Sequence, residues 1–596
     1  MTLKALFNIT GHMSGKKCQT CLPKSVLKPD LPNIFATFFK DKVTKIREKL
    51  DTSFNITPQF EPFCGAEFSE FRSVSQAEVK SIIKSSPPKS CCLDPIPTPL
   101  LVRHIDSVIE IITTIINESL QQGIVPSLFK QAVVVPLLKK PNLSPEELKN
   151  FRPVSNLPFL SKILEKVVLQ QLKDHLTNNN LTETYQSAYR ECHNTETALL
   201  RVHNDLLCEA DEGKVSILAL LDLSAAFDTI DHNILIERLS KTFGISGLVL
   251  NWFRSYLLGR SQSVIVQSFR SETVSLDFGV PQGSVLGPML YTLYTQPLGA
   301  LIRKHNVNYH MYADDTQLYK SLLPQDQTAL LTTMEQCIDD VKNWMIVNKL
   351  KMNEDKTEVI FCDPKRKCES TANYICIENE RVNFEEKAKN LGVIFDSMLS
   401  MKHHFNHVSQ ILFCELRRIG HMSCFLDETS LKTLMSAFIL TRLDYCNSLF
   451  VNLPEESLNK LQRFQNRAAK IVLKKKKRDH IGPLLKKLHW LPLKARILYK
   501  TAILCFKCIH NKAPSYLQDL VEVYTPSRSL RSGSHCLLRI PRRGSCRLAG
   551  RSFTHAAPAV WNALPLSLRL ATSETAFKTG LKTYLFTTYV TDSHCQ

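Results

Sequence analysis

The apolar and polar positions of this chain follow two rhythms. At 215–223, VSILALLDL, apolar residues run unbroken into a carboxylate, the pattern of a buried strand. VNYHMYADDTQLYK (307–320) reads as a hairpin with a polar tip, and 262–276 as a second hairpin. Shorter β-like runs fall at 132–140, 355–363 and 388–396. Helical spacing marks 34–50, 100–122, 161–178, 231–258, 289–304 and 326–349. SSPPKSCCLDPIPTP (85–99) is a proline-rich connector, and NFRPVSNLP (150–158) a turn. Strands and helices mix without a strict βαβ repeat, and no GxGxxG is present, so the pattern predicts an α+β fold. After about residue 400 the chain turns mostly helical and basic.

Charge sharpens this picture. The 75 Lys and Arg exceed the 56 Asp and Glu, leaving +19 over 596 residues. A protein this basic points to a polyanion, with nucleic acid first and acidic membrane surfaces second. KKKKR (474–478) and a run of arginines from Arg528 to Arg551 carry much of the excess. No apolar run reaches a membrane-spanning length, and MTLKALFNITGHMSGKK lacks the apolar core of a secretion signal. The 19 cysteines therefore read as reduced thiols. Cys18 with Cys21, and Cys505 with Cys508 and His510, suggest zinc, but neither group has a second pair at finger spacing, so both read as ordinary thiols.

The chemistry concentrates in carboxylates. Asp222 closes the apolar strand, and Asp314 and Asp315 sit together in MYADDTQLY. A buried carboxylate needs a cation or hydrogen bonds, and two adjacent ones repel. Asp-Asp alone also reads as a solvated turn. With apolar flanks and the Asp222 strand as partner, the three suit a pair of divalent cations clamping a phosphoryl transfer.

The order of the motifs then carries a resemblance. FRPVSNLPFLSKILEKV (151–167), YQSAYRECHNTETALL (185–200), LLDLSAAFDTIDHNIL (220–235), FGVPQGSVLGP (278–288), YADDTQLY (312–319), NKLKMNEDKTEVIF (348–361) and NLGVIFD (390–396) resemble the reverse transcriptases of non-LTR (LINE-type) retrotransposons. YCNSLFVNLP (445–454) and AAPAVWNALP (556–565) resemble their C-terminal text. The resemblance implies a right-hand polymerase of fingers, palm and thumb with a basic, mostly helical C-terminal region. It would extend a DNA 3′ end on an RNA template, with dNTPs as substrates.

It also implies roles. Asp222, Asp314, Asp315 and the Leu223 carbonyl would hold two Mg²⁺ ions, with Mn²⁺ a substitute. Phe227 would be the gate that rejects a 2′-hydroxyl. Gln282 and Gly283, behind Pro281, would sit beside the nascent base pair, with Gly283 letting backbone approach the template or dNTP. Arg152 and Arg190 would clamp triphosphate, and Lys356 would protonate the leaving pyrophosphate. NLGVIFD would be the primer-grip hairpin. Trp490, Tyr499 and Phe506, set among lysines, favour a nucleic-acid strand.

The implied divisions are a remnant or linker at 1–85, a helical lead-in at 86–119, the polymerase domain at 120–396, and thumb plus basic helical region at 397–596. The nuclease that usually precedes this type of polymerase has no counterpart in the first 120 residues or so, so the chain reads as truncated and any nick as supplied elsewhere. Pro297, in YTQPLGA, would shorten the helix after PQGS. A nuclear or cytoplasmic location without membrane is expected. The rival reading is a catalytically inactive or domesticated relic that only binds nucleic acid; the intact Asp222, Phe227, Asp314 and Asp315 count against it.

Overall fold

The structure is a computed structural model that describes residues 22–23, 29–51, 58–140, 143–366, 368, 373–377, 380–525, 536–541 and 548–591. Cys18 and Cys21 lie outside the described residues.

A four-stranded antiparallel sheet organises the centre, in the order Glu358–Cys362, Val215–Leu221, Asp315–Leu322, Asn308–Tyr312. The apolar run 215–221 is continuous because both faces of its strand are covered. Val215, Ile217, Ala219 and Leu221 enter one core with Val167, Leu235, Leu290 and Ile338. Leu218 points the other way, with Tyr319 and Ile360, into a second core. That second core continues through Leu206, Phe395, Leu416, Leu461, Phe506 and Trp561 as far as Leu585. On this side the helix Thr195–Asp211 packs against the sheet, and helices from beyond residue 400 extend the core over it.

A second sheet pairs Phe151–Asn156 antiparallel with Gln131–Leu138, which runs parallel to Arg260–Val266. The N-terminal helix Leu31–Asp51 lies on it through Phe35 and Phe39, packed with Phe151, Val134 and Val264. Arg47 of that helix pairs with Asp231 at 2.7 Å.

Several expected elements are divided in the structure, each at an identifiable residue. The helix expected over 231–258 is two, His232–Lys241 and Gly247–Leu257. Gly244 between them takes φ +63°, and a Cβ there would run into the Phe63 ring. The helix over 289–304 breaks at Gln296, and Pro297 opens Pro297–Lys304 as its first residue, where a missing N–H costs nothing. The run 388–396 folds into the hairpin Lys387–Asn390 with Val393–Asp396. Trp490 and Phe506 are buried core rather than a strand-binding face: Phe506 stacks on Phe577 at 4.6 Å, because both sit on the inward stripe of their helices. Only Tyr499 stays half-exposed, on a cleft it shares with Lys486, Lys578 and Lys582. Cys505 and Cys508 are buried one turn apart in Leu493–Ile509, donating to the carbonyls of Ala557 and Leu517. Burial pushes the Cys508 thiol up to about 12, which keeps it protonated. Among the described residues, no helix is long and apolar enough to cross a membrane.

His203, His310 and His404 are buried neutral, as is His232. Desolvation drives His203 and His310 down to about 3 and His404 to about 4. Each is below its unfolded value near 6.5, so the unfolded chain takes up the proton first. Their contribution is intact above about pH 6.5 and is lost as the pH falls from there towards the folded values. The melting temperature should therefore drop steadily between pH 7 and 5, and His203→Asn should flatten that slope. A slope unchanged by the substitution would rule out His203 as a source.

Candidate active site

The site forms where the central sheet ends. Asp222 follows Val215–Leu221, and the register that pairs Leu221 with Thr316 carries on to place Asp222 opposite Asp315. Asp314 and Ala313 form the two-residue tip between the paired Tyr312 and Asp315. Ala313 takes φ +57°, a left-handed backbone that costs an alanine about 1 kcal/mol. The tip is held there by Gln186, whose Oε1 accepts from the Ala313 N–H at 3.1 Å and the Ala188 N–H at 3.0 Å.

Asp222 is clamped by the segment that follows the long helix Gln327–Val347. The Asn353 N–H donates to its carbonyl at 2.8 Å, and the Asn353 amide reaches Oδ2 at 3.1 Å. The Lys356 ammonium sits 2.7 Å from the same oxygen. Leu223, one residue on, is buried in a two-residue strand paired with Lys351–Met352.

The three carboxylates repel. Burial raises the Asp314 carboxyl above its usual range, and Asp222 adds to this; its own backbone N–H, Lys356 and Arg152 pull the other way. Burial, then Asp314 and Asp222, push Asp315 up to about 6. The buried Tyr291 phenol is raised far above its usual value by desolvation and then by the same three charges. A rim of cations faces this negative island. Burial and then the charges of Lys42, Lys356 and Arg152 hold the neighbouring Lys139 ammonium below its ordinary value. A cleft of about 350 Å³ opens beside the carboxylates, lined by Lys140, Asp222, Asp315, Lys356, Lys389 and Asn390. Among the described residues, no three His, Cys, Asp or Glu are gathered closely enough to enclose a metal ion. The donor chemistry nonetheless fits a hard divalent cation: oxygen ligands whose mutual repulsion only a cation or a proton relieves.

The other expected residues separate into those near the island and those held elsewhere. Phe227 is half-buried, its ring stacked on Tyr291 at 4.8 Å and its carbonyl accepting from the Val280 N–H at 2.9 Å. The Gln282 amide donates to both oxygens of Asp228, at 2.8 and 3.0 Å, and burial raises the Asp228 carboxyl to about 6. Gly283, at φ +135°, makes its close approach to protein rather than to open space, because a Cβ there would strike the Ser155 carbonyl oxygen. The adjoining Gln282 carbonyl accepts from the Ser155 N–H at 2.8 Å. Arg152, on the Phe151–Asn156 strand, is exposed and lies within electrostatic reach of Asp314. Arg190 is turned into its own loop, donating to the carbonyls of Glu183 and Gln186 and to the Thr182 hydroxyl, and is not aimed at the carboxylates.

Sequence reasoning passed over Asn353, Gln186 and Tyr291, although each lies in or beside a quoted motif. It also passed over Glu165. This buried carboxylate accepts from the Val285 N–H at 2.7 Å, the Leu286 N–H at 2.9 Å and the Tyr256 hydroxyl at 3.3 Å. It thereby fixes the exit of the PQGS turn into Gly287–Thr295. A lone acid on the apolar face of FLSKILEKV was the available signal.

Residues 138–395 match the reverse transcriptase (RNA-dependent DNA polymerase) family. The chain is similar to the RNA-directed DNA polymerase from mobile element jockey of Drosophila melanogaster, 25% identical over 422 residues, covering 68% of this chain and 43% of that protein. It is also similar to the probable RNA-directed DNA polymerase from transposon BS of the same fly, 26% identical over 310 residues, covering 51% and 34%. A Xenopus laevis transposon TX1 protein is 31% identical over 219 residues, covering 36% and 16%. Among solved structures, apo telomerase from Candida tropicalis aligns with 46% of this chain and 55% of its own at 13% identity, with a TM-score of 0.33, too loose a likeness to argue from. The class defined by the matched segment is a reverse transcriptase domain. The relatives it resembles support a reverse transcriptase of the LINE, non-LTR retrotransposon type. It spans less than half the length of the jockey and BS proteins.

Because the Asp315 carboxyl is raised, its charge at pH 7 weakens the folded state, and that cost appears as pH rises from about 4 through 6. In EDTA, Asp315→Asn should melt about 1–2 °C above the wild type. Mg²⁺ should raise the wild-type melting temperature and leave Asp314→Ala unmoved. An Asp315→Asn protein that melts lower than the wild type would refute the repulsion.

Proposed function

We propose that this chain is an RNA-directed DNA polymerase that adds dNTPs to a DNA 3′ end on an RNA template. The observation that carries the reading is the carboxylate island: Asp222 across from Asp315, with Asp314 at the hairpin tip, the last two raised by burial and by the neighbouring carboxylates. Asp222, Asp314 and Asp315, with the Leu223 carbonyl, would hold two Mg²⁺ ions, for which Mn²⁺ could substitute. Bound there, such ions stabilise charge on the attacking 3′-oxygen and the leaving pyrophosphate.

The rest of the work falls to the chain's own residues. Phe227, stiffened by its stack on Tyr291, forms the wall that leaves no room for a 2′-hydroxyl. Gln282, oriented by Asp228, offers its remaining amide face to the nucleotide without choosing a base. Gly283 lets the turn lie against Ser155, which sets the height of Gln282. Arg152, with Lys139 and Lys42 nearby, attracts the triphosphate. Lys356, paired with Asp222 here, would be freed if metal cations were held there, and would then be placed to protonate pyrophosphate. Arg190 serves by keeping the 182–190 loop closed rather than by meeting phosphate itself. The Lys387–Asn390 and Val393–Asp396 hairpin, tied to the central sheet by the Asn390 amide on Gln317 at 2.7 Å, would seat the primer end.

In this reading 120–396 holds the fingers and palm behind a lead-in at 86–119, and 397–596 the thumb and a basic helical region along the RNA–DNA hybrid. The element would be copied in the nucleus after synthesis in the cytoplasm.

Primer extension with an RNA template, a DNA primer, dNTPs and Mg²⁺ tests the reading. The wild type should give product and Asp314→Ala none; a wild type that binds the hybrid but never extends it would point instead to a nucleic-acid-binding relic. A second measurement addresses the gate: Phe227→Ala should raise rNTP incorporation by about 5- to 150-fold, given that one oxygen's steric clash is worth about 1–3 kcal/mol. An unchanged dNTP/rNTP ratio would remove Phe227 from that role.

A further inference from the structure

The carboxylate hairpin is braced by a residue from far outside the matched domain. Tyr516 lies in Ser515–Gln518 and is fully buried. Its ring meets His310 edge-on at 4.8 Å and faces Tyr185 at 6.2 Å, and Arg201 donates to its carbonyl at 3.1 Å. Its hydroxyl stands 3.0 Å from Thr197 Oγ1 and 2.8 Å from Ser187 Oγ, which in turn is 2.8 Å from His310 Nε2.

The direction of these bonds follows from counting protons, since each hydroxyl has one. Thr197 donates its own to the Asn194 carbonyl at 2.9 Å, within the cap of Thr195–Asp211. It can therefore only accept from Tyr516. Tyr516, its proton spent, accepts from Ser187, and Ser187 accepts from His310 Nε2–H. That leaves His310 Nδ1 as the unprotonated nitrogen, and it is the one without a partner. The result is a one-way chain from a strand of the catalytic hairpin to a helix cap, with each bond polarising the next.

Ser187 also belongs to the loop that holds the hairpin. Its N–H donates to the Met311 carbonyl at 3.0 Å, and the Met311 N–H donates to the Tyr185 carbonyl at 2.8 Å. Gln186, between them, accepts from Ala313 beside Asp314.

We propose that Tyr516 is a positioning residue for the catalytic hairpin: its hydroxyl fixes the 185–187 loop, and through Gln186 that loop fixes the left-handed tip carrying Asp314 and Asp315. A residue of the C-terminal helical region thereby sets the geometry of the carboxylates. The kinetic consequence rests on the polymerase reading; the structural one rests on the hydrogen bonds alone.

A tyrosine that merely filled the core would be replaced by phenylalanine without effect. Tyr516→Phe keeps the ring and removes the hydroxyl. In that variant kcat for primer extension should fall about tenfold, the Mg²⁺ concentration for half-maximal rate should rise, and KM for primer–template should stay put. By hydrogen exchange, the amides of Met311 and Ala313 should lose protection, while those of the remote helix Glu455–Val472 keep theirs. Ser187→Ala, which breaks the same chain from its other side, should reproduce the exchange result. Wild-type kcat together with wild-type protection at Met311 and Ala313 in Tyr516→Phe would overturn the proposal, as would normal protection in Ser187→Ala. If the wild type extends no primer, the polymerase reading fails and the exchange measurement still decides the role of Tyr516.

Discussion

Mutual repulsion of three carboxylates at the end of a covered sheet is the constraint around which the rest is arranged. In a loose loop Asp222, Asp314 and Asp315 would swing apart and be hydrated separately. Here Asp222 is fixed by strand pairing on one side and Asn353 on the other, and Asp314 and Asp315 by a two-residue tip that cannot lengthen. The charge is therefore stored rather than relaxed, and the folded state is poised for cations. Lys356 on Asp222 is the partial relief that the chain supplies from within.

Holding like charges together requires rigid neighbours, and the supporting polar groups share one design. Asn353, Gln186 and Glu165 each reach across from a different element to satisfy backbone donors or a carboxylate at a turn. Backbone groups left bare at such turns would cost roughly 1–3 kcal/mol each. One side chain per turn thus does double duty, satisfying the chain and setting where the next residue points. The same logic explains Gly283, where the turn must press against Ser155 and has room for no side chain.

Much of this was legible before any coordinates. The strand ending in Asp222 and the hairpin tipped by Asp314 and Asp315 were readable because burial and pairing impose a simple pattern on sequence. The break at Pro297 was readable because proline's effect is local. The division of 231–258 was not read, because Gly244 and Gly247 look tolerable within a helical pattern until Phe63 is seen beside one of them. Arg190 and Gln282 stand in the quoted motifs, but the partner each long polar side chain finds, Glu183 and Gln186 for one and Asp228 for the other, is decided by the folded geometry. Trp490 and Phe506 misled for a related reason: lysines surround them along the chain but not in space.

The two-sided covering of the strand Val215–Leu221 also has a consequence for how the protein is made. One face of that strand is closed by elements mostly near it in sequence; the other meets the helix Thr195–Asp211, beyond which the core runs through helices reaching to Leu585. Emerging from a ribosome at about 5–20 residues per second, the strand would wait on the order of 20–70 seconds for the last of its cover. Throughout that interval the core that Leu218, Tyr319 and Ile360 share with Leu461, Phe506 and Trp561 is unfinished. A core left incomplete for that long during synthesis is the condition under which nascent chains aggregate or engage chaperones.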